Sequence, residues 1–124
     1  MLKSESIIFT YDGVVEFNFP DIKLQQGESL LVLGESGVGK TTFIQILAGL
    51  LRLKSGKVEL LNTNYNMLSQ KEMDQFRGKH IGMIFQKPHF VRNLNILDNL
   101  LLSLYLSGNK QDKERVIQLL TEIG

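Results

Sequence analysis

Residues 34–42 read GESGVGKTT and follow directly on the apolar run Leu30, Leu31, Val32 and Leu33. Gly34, Gly39, Lys40 and Thr41 stand at the fixed positions of G-x-x-x-x-G-K-[ST], the phosphate-binding P-loop pattern. The chemistry explains the spacing. A polyphosphate needs several donors converging on it, and consecutive backbone N–H groups supply them only where no Cβ blocks the approach. Hence the glycines at 34, 37 and 39, with Glu35, Ser36 and Val38 contributing backbone between them. A helix starting at Lys40 would aim its free N–H groups and dipole at the anion. Lys40 would reach terminal phosphate oxygens, the Thr41 hydroxyl would hold Mg²⁺, and Thr42 would be a further phosphate donor.

Composition bounds the rest. With 124 residues, 43% hydrophobic and 22% charged, the chain is sized for one domain with a modest core. Fourteen Lys plus Arg against thirteen Asp plus Glu give a net charge of +1, so no nucleic-acid partner is expected and anion binding must be local. The absence of cysteine excludes disulfides, thiolate zinc sites and thiol nucleophiles. His80 and His89 have no second ligand at metal spacing and are expected at the surface. No signal segment opens the chain, and no apolar run approaches the ~18 residues that span a bilayer, so the chain itself is expected to be soluble.

Periodicity places the elements. Residues 7–11 read as a strand ending at Tyr11, followed by the turn Asp12-Gly13; residues 14–24 read as a second strand with an edge or bulge at Pro20. Residues 29–33 and 81–85 are continuous apolar runs, the pattern of strands covered on both faces. From Lys40 the spacing of Phe43, Ile44, Leu47, Leu50 and Leu51 is helical, with Ala48 and Gly49 permitting close packing. Ser55-Gly56 reads as a turn into a short strand over 57–61. Ser69 and Glu72 form a capping box for a helix running to about Phe76 and stopping near Gly78. Gln86 follows the second apolar strand, where an α/β sheet places ligand-facing polar residues. Two helices close the chain, one leucine-rich over 97–106, capped from 93–95 and expected in the core, the other over 110–123.

Together these residues resemble the amino-terminal part of the ATP-binding cassette of ABC transporters, over essentially the whole chain. Tyr11 stands where that family's A-loop aromatic stacks on adenine, with Phe9 as the substitute candidate. Residues 34–42 match its Walker A loop, "LAGLLRLKSGKVEL" is similar to the helix, turn and strand that follow, and "HIGMIFQ" to its Q-loop strand. The wording of residues 68–100 looks most like the lipoprotein-release, macrolide-export and cell-division group.

The resemblance implies an α/β fold: a P-loop NTPase fragment with amino-terminal antiparallel strands, part of a parallel sheet and flanking helices. It implies one cassette domain over 1–124, with 1–92 in the nucleotide-binding core and 93–124 starting the helical subdomain. The cofactors implied are ATP and Mg²⁺. Lys40 and Gln86 would be catalytic, Tyr11 and residues Gly34 to Thr42 would bind nucleotide, and Thr41 and Gln86 would hold the metal. Implied partners are transmembrane permease subunits, meeting the surface around 86–99, and a second cassette in a dimer. The place implied is cytoplasmic, on the inner face of the membrane. The LSGGQ signature, Walker B strand, D-loop and switch histidine of a full cassette do not occur in the sequence. The chain therefore reads as a fragment that binds nucleotide without turnover, ATPase activity belonging to the full-length parent. In the family topology, strands that are missing here lie between 29–33 and 81–85, and the gap would leave backbone unpaired and apolar faces wet. Two other readings are a non-catalytic nucleotide-binding or interaction module and a small P-loop kinase; against the kinase, arginine occurs only at 52, 77, 92 and 115.

Overall fold

The structure, a computed structural model, describes residues 1–87 and 89–124. It divides into two compact units, Met1–Met73 and Asp74–Gly124.

The first unit is built on β1 (Leu2–Thr10), the longest strand. One edge of β1 pairs with β4 (Ser55–Leu60), and the other carries β2 (Glu16–Asn18) and β3 (Ile22–Leu24). A short β5 (Thr63–Asn64) extends the sheet beyond β4, and every pairing is antiparallel. β1 starts well before the expected strand because its pattern changes phase. Ser4 is buried on the even positions, Ile7 and Phe9 on the odd ones. One extra residue must intervene, and the β1–β4 register shifts between Glu5 and Ile8, with Ser6 at φ +48. The Asp21 carboxylate accepts the Ser6 N–H at 2.6 Å, and the Ser4 hydroxyl accepts the Ile22 N–H at 3.3 Å. The single strand expected over 14–24 is thus two strands, broken around Pro20, whose missing N–H cannot serve a ladder. The expected turn at Ser55-Gly56 is instead the start of β4, opposite the bulge. Leu61 and Asn62, both at positive φ, make the two-residue turn between β4 and β5.

Ile7, Phe9, Phe43, Ile46 and Val58 form the core, where the sheet meets α1 (Lys40–Leu47). Val58 is fully buried, and each such aliphatic side chain contributes roughly 1.5–3 kcal/mol of transfer free energy. The helix is shorter than its apolar spacing suggested. The Gly49 N–H bonds to the Ile46 carbonyl and the Leu50 N–H to the Gln45 carbonyl, a Schellman closure that leaves Leu50 and Leu51 beyond the helix. The Tyr65 hydroxyl donates to the Leu47 carbonyl at 3.1 Å, satisfying another of its terminal acceptors.

Residues 29–33 and 81–85 form no strand ladder, contrary to the expectation of buried strands. Leu31 is 78% exposed and Ile84 fully so. A strand needs at least one neighbour to form a ladder, and among the described residues neither run has one. The α/β expectation stands in the sheet and its flanking helices, while its parallel part is represented only by these unpaired runs.

α2 (Gln70–His80) crosses the division between the units and opens on the expected capping box, the Ser69 N–H donating to Glu72 at 2.8 Å. It runs through Gly78 to His80, past the expected end. The second unit also contains α3 (Ile96–Leu106), capped by Asn95, and α4 (Lys113–Ile123), capped by Asp112. The leucines of α3 are half-buried except Leu106, which is exposed, and the helix has no fully buried residue. Its apolar surface runs nearly all round, too wide for the packed neighbour α4 to cover, so the expectation of a core helix fails.

Candidate phosphate-binding site

The loop over 34–39 turns at Ser36 and Gly37 and delivers the chain into α1 at Lys40. Gly37 and Gly39 have φ +87 and +96, a region that L side chains rarely occupy. At Gly39 space is also decisive, since an added Cβ would lie 2.9 Å from Phe17 Cδ1 and 3.2 Å from Phe19 Cε1. The aromatic row behind the loop is continuous: Phe17 stacks on Phe19, with centroids 6.2 Å apart, and Phe19 on Phe43 at 4.9 Å. The sequence Phe17-Asn18-Phe19, which starts in β2 and runs one residue past it, places both rings on one side of the chain, behind the loop.

Gly39 caps α1 with no side-chain hydrogen bond, and the first turn of the helix contains no acidic residue. Its leading N–H groups are therefore left to a ligand or water. The Lys40 ammonium donates to the carbonyls of Gly34, at 2.8 Å, and Glu35, closing the loop on itself. An ammonium has three N–H groups, so one remains for an anion. Thr41 is exposed, while Thr42 is buried, only 6% exposed.

Tyr11 arrives from the end of β1. Its hydroxyl lies 2.9 Å from Thr42 Oγ1, and its ring meets Phe9 edge-to-face at 4.7 Å and Phe17 at 6.2 Å. The following loop is tied by Asp12, which accepts the N–H groups of Val14 at 2.9 Å and Val15 at 3.1 Å. Those bonds hold its carboxyl below the usual carboxylate range. Phe9, the substitute for adenine stacking, is 6% exposed and belongs to the core, so its ring has no free face; Tyr11, 63% exposed, has one.

The first unit thus brings together Tyr11 with Gly34, Glu35, Ser36, Gly37, Val38, Gly39, Lys40, Thr41 and Thr42. Gln86 belongs to the second unit, exposed in a bend after the unpaired run 81–85. Pro88, two residues on, lies outside the described residues. His80 and His89 are exposed, packed against Phe76 and Phe85 respectively.

A profile of the ABC transporter family matches residues 17–124. The chain belongs to the ABC transporter family. Among curated proteins it is 35% identical over 106 residues to the bacitracin export ATP-binding protein BceA of Halalkalibacterium halodurans, covering 84% of this chain and 42% of that protein. It is 29% identical over 126 aligned residues to the lipoprotein-releasing system ATP-binding protein LolD of Bacteroides fragilis, covering 100% of this chain and 58% of the relative. A solved dimer of the ATP-binding cassette MJ0796, in a post-hydrolysis state bound to ADP and Pi, superposes with a TM-score of 0.83 at 28% identity. That match covers 98% of this chain and 55% of the other. The chain spans about half the length of the relatives it matches. Its fold is that of part of an ABC-type P-loop cassette. No helix among the described residues is long and apolar enough to cross a membrane.

Proposed function

We propose that this chain supplies the P-loop portion of an ATP-binding cassette that, in a full-length protein, couples ATP binding and hydrolysis to transport. The observation that carries this reading is the closed loop: Lys40 bonded to the Gly34 and Glu35 carbonyls at the uncapped start of α1, with Tyr11 tied to Thr42 beside it. These groups suit a nucleoside triphosphate. They offer free N–H donors, one cationic donor, an exposed Thr41 hydroxyl for a hard cation and an exposed aromatic face for a base.

ATP supplies the phosphoryl group that a full cassette transfers to water. The residues here bind and orient it: the backbone of Gly34 to Gly39 and Lys40 hold phosphate oxygens, Thr42 donates to one of them, and Tyr11 stacks on adenine. Thr41 would hold Mg²⁺ through its hydroxyl, and in the full-length protein Gln86 would be the residue that touches the metal and orients water. None of them is the general base that hydrolysis needs, so turnover is assigned to the longer protein. In the same reading, 1–92 is nucleotide-binding core and 93–124 begins the helical subdomain. The partners are a second cassette and membrane-embedded permease subunits, which keep the protein at the cytoplasmic face of the membrane.

The test is calorimetric titration of MgATP into the chain and into Lys40→Ala. Loss of one charged hydrogen-bond donor is expected to weaken binding about ten- to hundredfold. Equal affinity in the two proteins would remove the P-loop from the site.

A further inference from the structure

The contact between Tyr11 and Thr42 is not explained by adenine stacking. Stacking needs only a ring, whereas here the hydroxyl is engaged, 2.9 Å from Thr42 Oγ1. Thr42 is the third residue of α1 and is 6% exposed, so its side chain has few orientations open to it. In a helix, threonine divides between two χ1 wells, one of which turns Oγ1 back onto a carbonyl of the preceding turn. A partner outside the helix selects the other. Tyr11 is itself held, its ring perpendicular to those of Phe9 at 4.7 Å and Phe17 at 6.2 Å.

The direction of the bond follows from the ligand. A phosphate oxygen carrying negative charge only accepts, so Thr42 must give it its single proton. The Tyr11–Thr42 bond must then run the other way, with the phenol donating to a Thr42 lone pair. A phenol, with a pKa near 10, is the better donor of the two hydroxyls. Two hydrogen bonds in series polarise each other, Tyr11 O–H to Thr42 Oγ1 and Thr42 O–H to the anion. Because the phenolic oxygen lies in the ring plane, this bond leaves the ring face free for a base.

We infer that Tyr11 is, through its hydroxyl, a positioning residue for Thr42, setting the Thr42 proton toward a phosphate oxygen independently of any contact between the ring and a base. The inference rests on the nucleotide-binding reading above and adds a second role for Tyr11 within it. The residue then joins the two ends of the ligand: ring to base, hydroxyl to phosphate.

The experiment separates the two roles by using a ligand that has no base. Magnesium tripolyphosphate and MgATP are titrated calorimetrically into the chain and into Tyr11→Phe, Thr42→Val, the double variant, Thr42→Ser and Lys40→Ala. Tyr11→Phe keeps the ring and is expected to weaken both ligands by the same factor, about three- to tenfold. Thr42→Val should weaken both at least as much, and adding Tyr11→Phe to it should cost nothing further. Thr42→Ser, which keeps the hydroxyl, should retain most of the affinity and remain sensitive to Tyr11→Phe. A general loss of folding would abolish binding in the Thr42→Ser background as well, whereas here Thr42→Ser binds and stays sensitive to Tyr11→Phe, and the Thr42 variants probe the pair from the other side if Tyr11→Phe is unstable. Unchanged tripolyphosphate affinity in Tyr11→Phe, or additive losses in the double variant, would overturn the inference while leaving the P-loop reading intact. Absence of binding that depends on Lys40 would overturn the P-loop reading itself.

Discussion

Gly39 offers the sharpest test of how the loop is supported, because Gly37 is a control for it in the same loop. Both residues occupy positive φ, +96 and +87, so alanine pays the left-handed backbone penalty of about 1–2 kcal/mol at either position. Part of that is offset at both by the loss of unfolded-chain entropy, about 0.4–1 kcal/mol. They differ only in surroundings. An added Cβ at Gly37 meets nothing within 4 Å, whereas at Gly39 it lies 2.9 Å from Phe17 Cδ1. Phe17 cannot retreat freely, being stacked on Phe19, which is stacked on buried Phe43. Forcing that row to shift is overpacking, which costs about 1–3 kcal/mol. Gly37→Ala should therefore lose about 1 kcal/mol and Gly39→Ala about 2–4 kcal/mol, read from urea unfolding with unchanged slope. Phe17→Leu should cost less in the Gly39→Ala background than alone, since the smaller side chain relieves the clash. Equal losses at 37 and 39 would refute the reasoning, for they would mean that the aromatic row yields to the methyl group.

Tyr65→Phe should destabilise the chain by about 1 kcal/mol at neutral pH, by leaving the Leu47 carbonyl without its 3.1 Å donor. Burial raises the Tyr65 phenol to about 12, above the ordinary value of 10, so folding favours its protonated form. That contribution is complete below pH 10 and is lost as pH rises toward 12; urea midpoints at pH 8 and pH 11 should fall further apart in the wild type than in Tyr65→Phe. Leu31→Ser and Ile84→Ser, at sites 78% and fully exposed, should each change stability by less than about 0.5 kcal/mol. A loss well above 1 kcal/mol, measured with sedimentation to follow self-association, would show these runs to be covered in solution.

What was legible in the residues was local. Capping boxes and caps span three residues, and those at Ser69 and Asn95 formed as expected. The glycine-rich loop was legible for the same reason: its glycines take the positive φ of the turn, and Lys40 closes onto Gly34 and Glu35 a few residues away. The strand phase across Ser6 was not, because alternation counted along β1 alone cannot show that β4 opposes it with one residue fewer. Nor was the early end of α1, where hydrogen-bond closure at Gly49 outweighs an apolar spacing that continues to Leu51.

By itself the sequence determined that a glycine-rich turn leads into a helix, because that outcome depends on steric freedom within nine residues. It determined equally that 29–33 and 81–85 are apolar enough for the interior of a sheet. Only the tertiary structure decided that neither is laddered, since a strand exists through partners that may come from anywhere in a fold, and composition carries no record of whether they are present. Only the tertiary structure, likewise, set the Tyr11 hydroxyl against Thr42 and the Phe17 ring beneath Gly39. These contacts join residues far apart in the chain, and the packing of α1 on the sheet, through Phe43 and Ile46 against Ile7, Phe9 and Val58, brings them together.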